Sequence, residues 1–150
     1  IHISVDWPVV VLLGSMIPVG QAMETTGVTT LIATGLLHLS TLFPPVFALA
    51  AVLVLTLTLS DIMNNAATAV VMAPVAANMA GQLGVSADPF LMAVAIGASC
   101  AFLTPIGHQN NALIMGPGGY KFGDYWRMGL PLEIVIVVVA LPLLLIAWPL

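Results

Sequence analysis

Long apolar blocks alternate with short clusters of polar and helix-breaking residues along this chain. Asp6-Trp7-Pro8 opens the first block, Pro suiting a first helical turn and Trp the headgroup level of a membrane; a helix is expected over 7–24, kinked at Pro18. The next block, 28–40, is shorter than the roughly 20 apolar residues a crossing needs, and its mixture of Thr, His38 and Leu suits an interfacial helix. After Phe43-Pro44-Pro45, one apolar arm runs to Leu59 and another restarts near Ala66, around the polar tip Ser60-Asp61-Ile62-Met63-Asn64-Asn65. Two short arms with a polar tip predict a re-entrant hairpin over 45–81. A second interruption, Thr104-Pro105-Ile106-Gly107-His108-Gln109-Asn110-Asn111, breaks a helix expected over 89–116, which Gly116-Pro117-Gly118-Gly119 then ends. A final helix is expected over 130–149, with Trp148 at its far interface.

Composition narrows the class sharply. Of 150 residues, 61% are hydrophobic and 5% charged, whereas soluble domains carry about a quarter charged residues; a soluble core is excluded. The lone Cys100 lies in an apolar run and reads as a small packing residue. Lys121 and Arg127 are the only Lys and Arg residues, both in the aromatic-rich stretch Tyr120–Arg127. By the positive-inside rule, loop 116–128 is placed in the cytoplasm and the C-terminus outside, in a membrane of the bacterial inner (plasma) type. The chain opens without an initiator Met or signal peptide and closes in an apolar helix, which reads as one half of a larger membrane protein. The expected fold is therefore an all-α membrane protein: one half of an inverted-repeat ion-transporter fold with a re-entrant hairpin and a discontinuous transmembrane helix.

Lipid supplies no hydrogen bonds, so polar breaks at membrane depth persist only where protein or a watery cavity surrounds them. Helices restarting near Ala66 and Ala112 would point free N–H groups and their positive dipole ends at mid-membrane, capped from Asn64, Asn65, Asn110 and Asn111, an arrangement suited to an anion. Arms ending at Leu59 and Leu103 would present carbonyls, which with Asn and Ser side chains suit a small hard cation. No Lys or Arg lies inside the apolar segments, so an anionic solute would be held by helix ends, amides, hydroxyls and a co-bound cation. On this reading Asn64, Asn65, His108, Gln109 and Asn111 line a solute pocket. Ser60, Asp61, Asn65, Thr104 and Asn110 are candidate coupling-ion ligands, with sodium at Asn65 and Thr104.

Each residue also has a plainer reading. The two amides of the tip could cap a kinked helix, Asp61 could accept from the hairpin backbone, and Ser60 and Thr68 could bond back to their own helix carbonyls. His108 could be a satisfied structural group, and Thr104-Pro105 could simply end a helix. Glu24 and Glu133 read as solvated helix ends.

The residues around both breaks resemble the C-terminal half of the divalent anion/sodium symporter family, which carries dicarboxylates, citrate and sulfate. That family's hairpin tip carries Ser-Asn-Thr followed by Ala-Thr-Ala or similar; here the matching residues are Asn64-Asn65-Ala66 and Ala67-Thr68-Ala69. Its broken helix reads roughly Ser-Cys-Ala-Phe, Pro, Thr-Pro-Pro-Asn-Ala, Gly-x-Gly, against Ser99-Cys100-Ala101-Phe102, Pro105, His108-Gln109-Asn110-Asn111-Ala112 and Gly116-Pro117-Gly118. The flanks match and the centres depart, most like a sulfate-type branch. The resemblance implies that Asn65 contacts both sodium and substrate, that Asp61 takes the place of a preceding acidic or amide residue, and that the partners are the N-terminal half of the same permease and a second copy in a homodimer.

Together these readings imply secondary active transport of a small divalent anion, sulfate or a di- or tricarboxylate, sodium-coupled and elevator-like. No covalent cofactor, nucleic acid or enzymatic step is implied. Two alternatives stand beside it, a cation/proton antiporter using Asp61 and His108, and a non-transporting membrane anchor.

Overall fold

A computed structural model describes residues 44–150 and, before them, scattered positions between 14 and 35. The helices expected over 7–24 and 28–40 fall for the most part outside the described residues. From Pro44 onward there are five helices, and no strand among the described residues: α1 (Pro45–Ile62), α2 (Asn65–Leu83), α3 (Asp88–Ser99), α4 (Gln109–Met115) and α5 (Phe122–Ala147). By length and composition α1, α2 and α5 could each cross a membrane; α3, at 12 residues, is too short to do so alone.

Local chemistry accounts for the ends of these helices. Pro45 occupies the first turn of α1, where its missing N–H is harmless. Asn64 caps α2, its Oδ1 accepting from the Ala67 N–H at 2.8 Å. Gly84, at φ 68°, closes α2 in the left-handed conformation, with the Val85 N–H on the Ala80 carbonyl. Asp88-Pro89 starts α3, and the Asp124 carboxylate accepts the Lys121 N–H at 2.8 Å to start α5.

The buried positions of α1 recur in adjacent pairs every four residues: Ala48 and Leu49, Val52 and Leu53, Thr56 and Leu57, Ser60 and Asp61. That stripe faces one side of the helix, and its polar last pair continues the apolar seam. α3 sits centrally, packed against α1, α2 and α5, while α1 also touches α2 and α5. The core is built from Leu49, Val52, Leu53, Met72, Val75, Met79 and Phe90 with their neighbours. Small residues set the closeness: a Cβ added at Gly97 would lie 2.9 Å from the Thr56 Cβ and 3.1 Å from the Leu53 carbonyl oxygen. Gly97→Ala is therefore expected to destabilise the protein by about 1–3 kcal/mol, whereas Gly81→Ala, with nothing within 4 Å of the added atom, is expected to be neutral. Thermal unfolding of the purified full-length protein distinguishes the two.

Several boundaries differ from the expectations. α1 continues through Ser60-Asp61 to Ile62, where Ser60 bonds to the Ala98 carbonyl and the Asp61 Oδ1 accepts from the Leu103 N–H. The arms of the hairpin are therefore 18 and 19 residues long, not half-length. α3 ends at Ser99, before Thr104-Pro105, and residues 100–108 are non-helical. α5 starts at Phe122, not at 130, so Pro131 lies inside the helix and omits one ladder bond.

The packed face of α5 is Gly129, Glu133, Ala140 and Leu144, spaced four, seven and four residues apart. Its opposite face leaves Ile134, Val135, Val138, Leu143 and Ile146 exposed. A face of that composition suits hydrocarbon.

Candidate functional site

The two interruptions, 43 residues apart in sequence, meet in space. Asn65 is the first residue of α2 and His108 immediately precedes α4; the Asn65 Nδ2 lies 3.4 Å from the His108 Nδ1. With Nδ1 as acceptor, the imidazole proton sits on Nε2 as a further donor. The other side of the same amide faces α1: the buried Ser60 hydroxyl lies 3.1 Å from the Asn65 Oδ1 and 2.9 Å from the Ala98 carbonyl oxygen. Ser60 therefore ties the hairpin tip to the end of α3 and does not bond back to its own helix. Thr56 does bond back, to the Val52 carbonyl, while the buried Thr68 Oγ1 has no partner among the described residues.

The segment 100–108 is fastened to the hairpin by backbone-directed bonds. The Asp61 Oδ1 accepts from the Leu103 N–H at 2.9 Å. The Thr104 hydroxyl donates to the Asp61 carbonyl and accepts from the N–H groups of Ile106, at 3.2 Å, and Gly107, at 3.3 Å. Its capacity is thus taken up in shaping the loop. Gly107 lies against the tip so closely that a Cβ there would collide with the Ser60 carbonyl oxygen and come within 3.0 Å of the Asp61 Cα. The Asn111 Nδ2 donates to the carbonyls of Ala101, at 2.9 Å, and Thr104, at 3.3 Å, and the Tyr125 hydroxyl donates to the Asn111 carbonyl at 2.6 Å.

The candidate residues accordingly fall into two sets. Ser60, Asn65 and His108 come together at the junction of the breaks. Asp61, Thr104 and Asn111 hold the loop in place from behind. Asn64 is exposed at the tip as the α2 cap, Asn110 is exposed on α4, and Gln109 begins α4. Asn64→Ala is expected to cost about 1 kcal/mol of stability through loss of the cap, measurable by thermal unfolding. By ladder register the N–H groups of Asn65 and Ala66 have no partner within α2, so this 19-residue helix offers donors and its positive dipole end at the junction. α4, with seven residues, contributes little dipole. A cavity of about 400 Å³ lies on the other side of the loop, bounded by Phe102, Asn111, Ile114, Tyr125, Gly129 and Leu132.

Glu133 departs most from expectation. It is 7% exposed, on the packed face of α5, and is no solvated end. Counting 11 residues on from Phe122 at about 1.5 Å each puts it about 17 Å along α5, near the middle of that 26-residue helix. The Phe102 N–H points to its Oε1 at 3.5 Å. Its spacing from Gly129, Ala140 and Leu144 was a signal available in the sequence. Among the described residues no group of three or more His, Cys, Asp or Glu side chains could hold a metal ion.

Helices long and apolar enough to cross a membrane, packed around a polar junction of helix ends, define an integral membrane protein of the transporter class. The chain belongs to the citrate transporter family, whose model matches residues 2–97. It is 36% identical over 146 residues to an uncharacterized transporter of Escherichia coli strain K12, covering 97% of this chain and 24% of that protein. It is 29% identical over 138 residues to sodium/sulfate cotransporter 2 of Chlamydomonas reinhardtii, covering 91% of this chain and 16% of that protein. It is 28% identical over 132 residues to the Na(+)/citrate cotransporter of Rattus norvegicus, covering 88% of this chain and 23% of that protein. The chain thus spans at most about a quarter of the length of these relatives. Family and relatives are transporters, not enzymes.

Proposed function

We propose that this chain belongs to the C-terminal half of a secondary carrier that moves a small divalent anion, sulfate or a di- or tricarboxylate, with sodium as coupling ion. The observation that carries the reading is the contact between Asn65 and His108, which joins the two helix breaks at one point. Relatives named as sodium/sulfate and sodium/citrate cotransporters support both the class of solute and the ion.

In this reading the anion displaces the Asn65–His108 contact and takes both donors, the Asn65 amide and the imidazole N–H, together with the open N–H groups at the start of α2. Asn64, Gln109 and Asn110 border the pocket. Sodium sits on the opposite side of the Asn65 amide, at its Oδ1 and the Ser60 hydroxyl, with carbonyls at the end of α3 completing an oxygen shell. One amide thereby contacts both ligands, so each favours the binding of the other. Thr104 and Asn111 shape the loop that presents His108.

The hairpin α1–α2 enters the membrane and returns to the same side, and α3 with α4 forms one interrupted membrane helix. The N-terminal half of the same permease closes the site, and the hairpin and broken helix move together in elevator-like alternating access, in a homodimer. Loop 116–128 faces the cytoplasm and the C-terminus lies outside.

The test is uptake of labelled sulfate, succinate and citrate by the full-length protein in proteoliposomes, with and without a sodium gradient. Sodium-driven uptake of at least one anion, competed by the others, is expected. Sodium efflux driven by a proton gradient, with no anion uptake, would replace this reading with a cation/proton antiporter.

A further inference from the structure

Behind the amide junction two carboxylic acids meet without a basic partner. Asp61 closes the buried stripe of α1 at 3% exposure, and Glu133 lies on the packed face of α5 at 7%. Consecutive residues of the loop after α3, Phe102 and Leu103, bring the two carboxyl groups to the same stretch of backbone. Backbone N–H groups of Leu103 and Phe102 reach the Asp61 Oδ1 and the Glu133 Oε1. The Asp61 Oδ2 is buried and has no hydrogen-bond partner among the described residues.

Among the described residues, the elements packed around the pair offer no counter-charge. α2 contains no ionisable side chain, and α3 has only Asp88, at its far end. The loop 100–108 holds Cys100 and His108, the latter facing Asn65. On α5 the other charged residues are Asp124 and Arg127 near its start, where Arg127 is exposed. Two buried carboxylates anchored on neighbouring backbone N–H groups repel, and a cation between them lowers that cost. One positive charge between them satisfies the orphaned oxygen and removes the repulsion.

We propose that Asp61 and Glu133 together bind one sodium ion at a site separate from the Asn65 junction. The hairpin tip supplies one carboxylate and α5 the other. Occupancy ties the tip and the loop to α5, because Asp61 also holds Leu103 through its side chain and Thr104 through its carbonyl. The site stands on the pair itself; only its link to solute flux rests on the carrier reading.

The test uses purified full-length protein without solute. Bound radioactive sodium and the infrared stretch of protonated carboxyl groups are measured at neutral pH for wild type, Glu133→Gln and Asp61→Asn. If sodium is the occupant, each variant binds one fewer ion than wild type, and replacing sodium by potassium in wild type makes a protonated-carboxyl band emerge. Unchanged sodium binding in the variants, with a protonated-carboxyl band of wild type lost in Glu133→Gln, means that a shared proton holds the pair and overturns the sodium site. Wild type alone decides the matter should either variant fold poorly: a spectrum with no protonated carboxyl in either salt overturns the proposal. Equal sodium stoichiometry and identical spectra in all three proteins overturn it as well. Failure of anion uptake by wild type would strike the carrier reading and leave these results unaffected.

Discussion

Replacing Asn65 with alanine is expected to lower sodium-driven anion uptake by about 10- to 150-fold with little loss of folded protein. The amide stands between two proposed ligands, and a hydrogen bond to a charged group contributes about 1.5–3 kcal/mol, at about 1.4 kcal/mol per factor of ten. Folding is expected to survive, because Ser60 keeps its bond to the Ala98 carbonyl and Asn64 keeps its cap on Ala67. Asn65→Asp is expected to be worse for uptake, since a carboxylate would repel the anion while still offering oxygen to sodium. Retained sodium binding with lost anion uptake in Asn65→Asp would separate the two faces of the amide. Uptake in Asn65→Ala equal to wild type, at equal protein levels, would remove this residue from the site.

Gly107→Val is expected to have the largest effect on stability, at or above the upper end of the roughly 1–3 kcal/mol that overpacking costs. A Cβ at this position meets the Ser60 carbonyl oxygen, the Ala101 Cβ at 2.7 Å and the Asp61 Cα at 3.0 Å. Two of those atoms are backbone of the hairpin tip and cannot swing aside. The loop would have to lift from the tip, breaking the Leu103 and Thr104 bonds to Asp61 and displacing His108 from Asn65. Gly123→Val, with nothing within 4 Å of the added atom, controls for the residue type. Thermal unfolding and uptake measured together on the full-length protein check the expectation: both should fall for position 107 and neither markedly for position 123.

The breaks themselves were legible in the sequence because their residue types are costly in hydrocarbon. Asn64-Asn65 and Pro105-Ile106-Gly107 sit between apolar runs with no other reason to be there, and the helices do stop at 63–64 and over 100–108. Less legible was the division of labour among the polar residues, because the deciding partners lie far away along the chain. Thr104 reads as a helix terminator or ion ligand until its bond to the Asp61 carbonyl is seen, and Asn111 reads as a pocket residue until the Ala101 and Thr104 carbonyls are found on its amide. Asp61 looked able to end α1, yet bonds from a loop more than forty residues away let the helix run on to Ile62.

Glu133 was misread for a different reason. Starting the last helix at 130 put this residue at a helix end, whereas the capping carboxylate of Asp124 moves the start back to Phe122 and puts Glu133 deep along α5. In the fold Gly129 is where α5 comes closest to the loop, an added Cβ falling 2.6 Å from the Phe102 carbonyl carbon. A glycine that permits close approach and a glycine that ends a helix look alike in one sequence.

Cross-linking across the junction tests the central claim most directly. The double variant Asn65→Cys/His108→Cys, in the full-length protein with Cys100 and any other cysteine replaced, is reconstituted and treated with a mild oxidant. Rapid disulfide formation is expected, because the account puts these two side chains in contact. A folded protein that forms no disulfide would contradict the account.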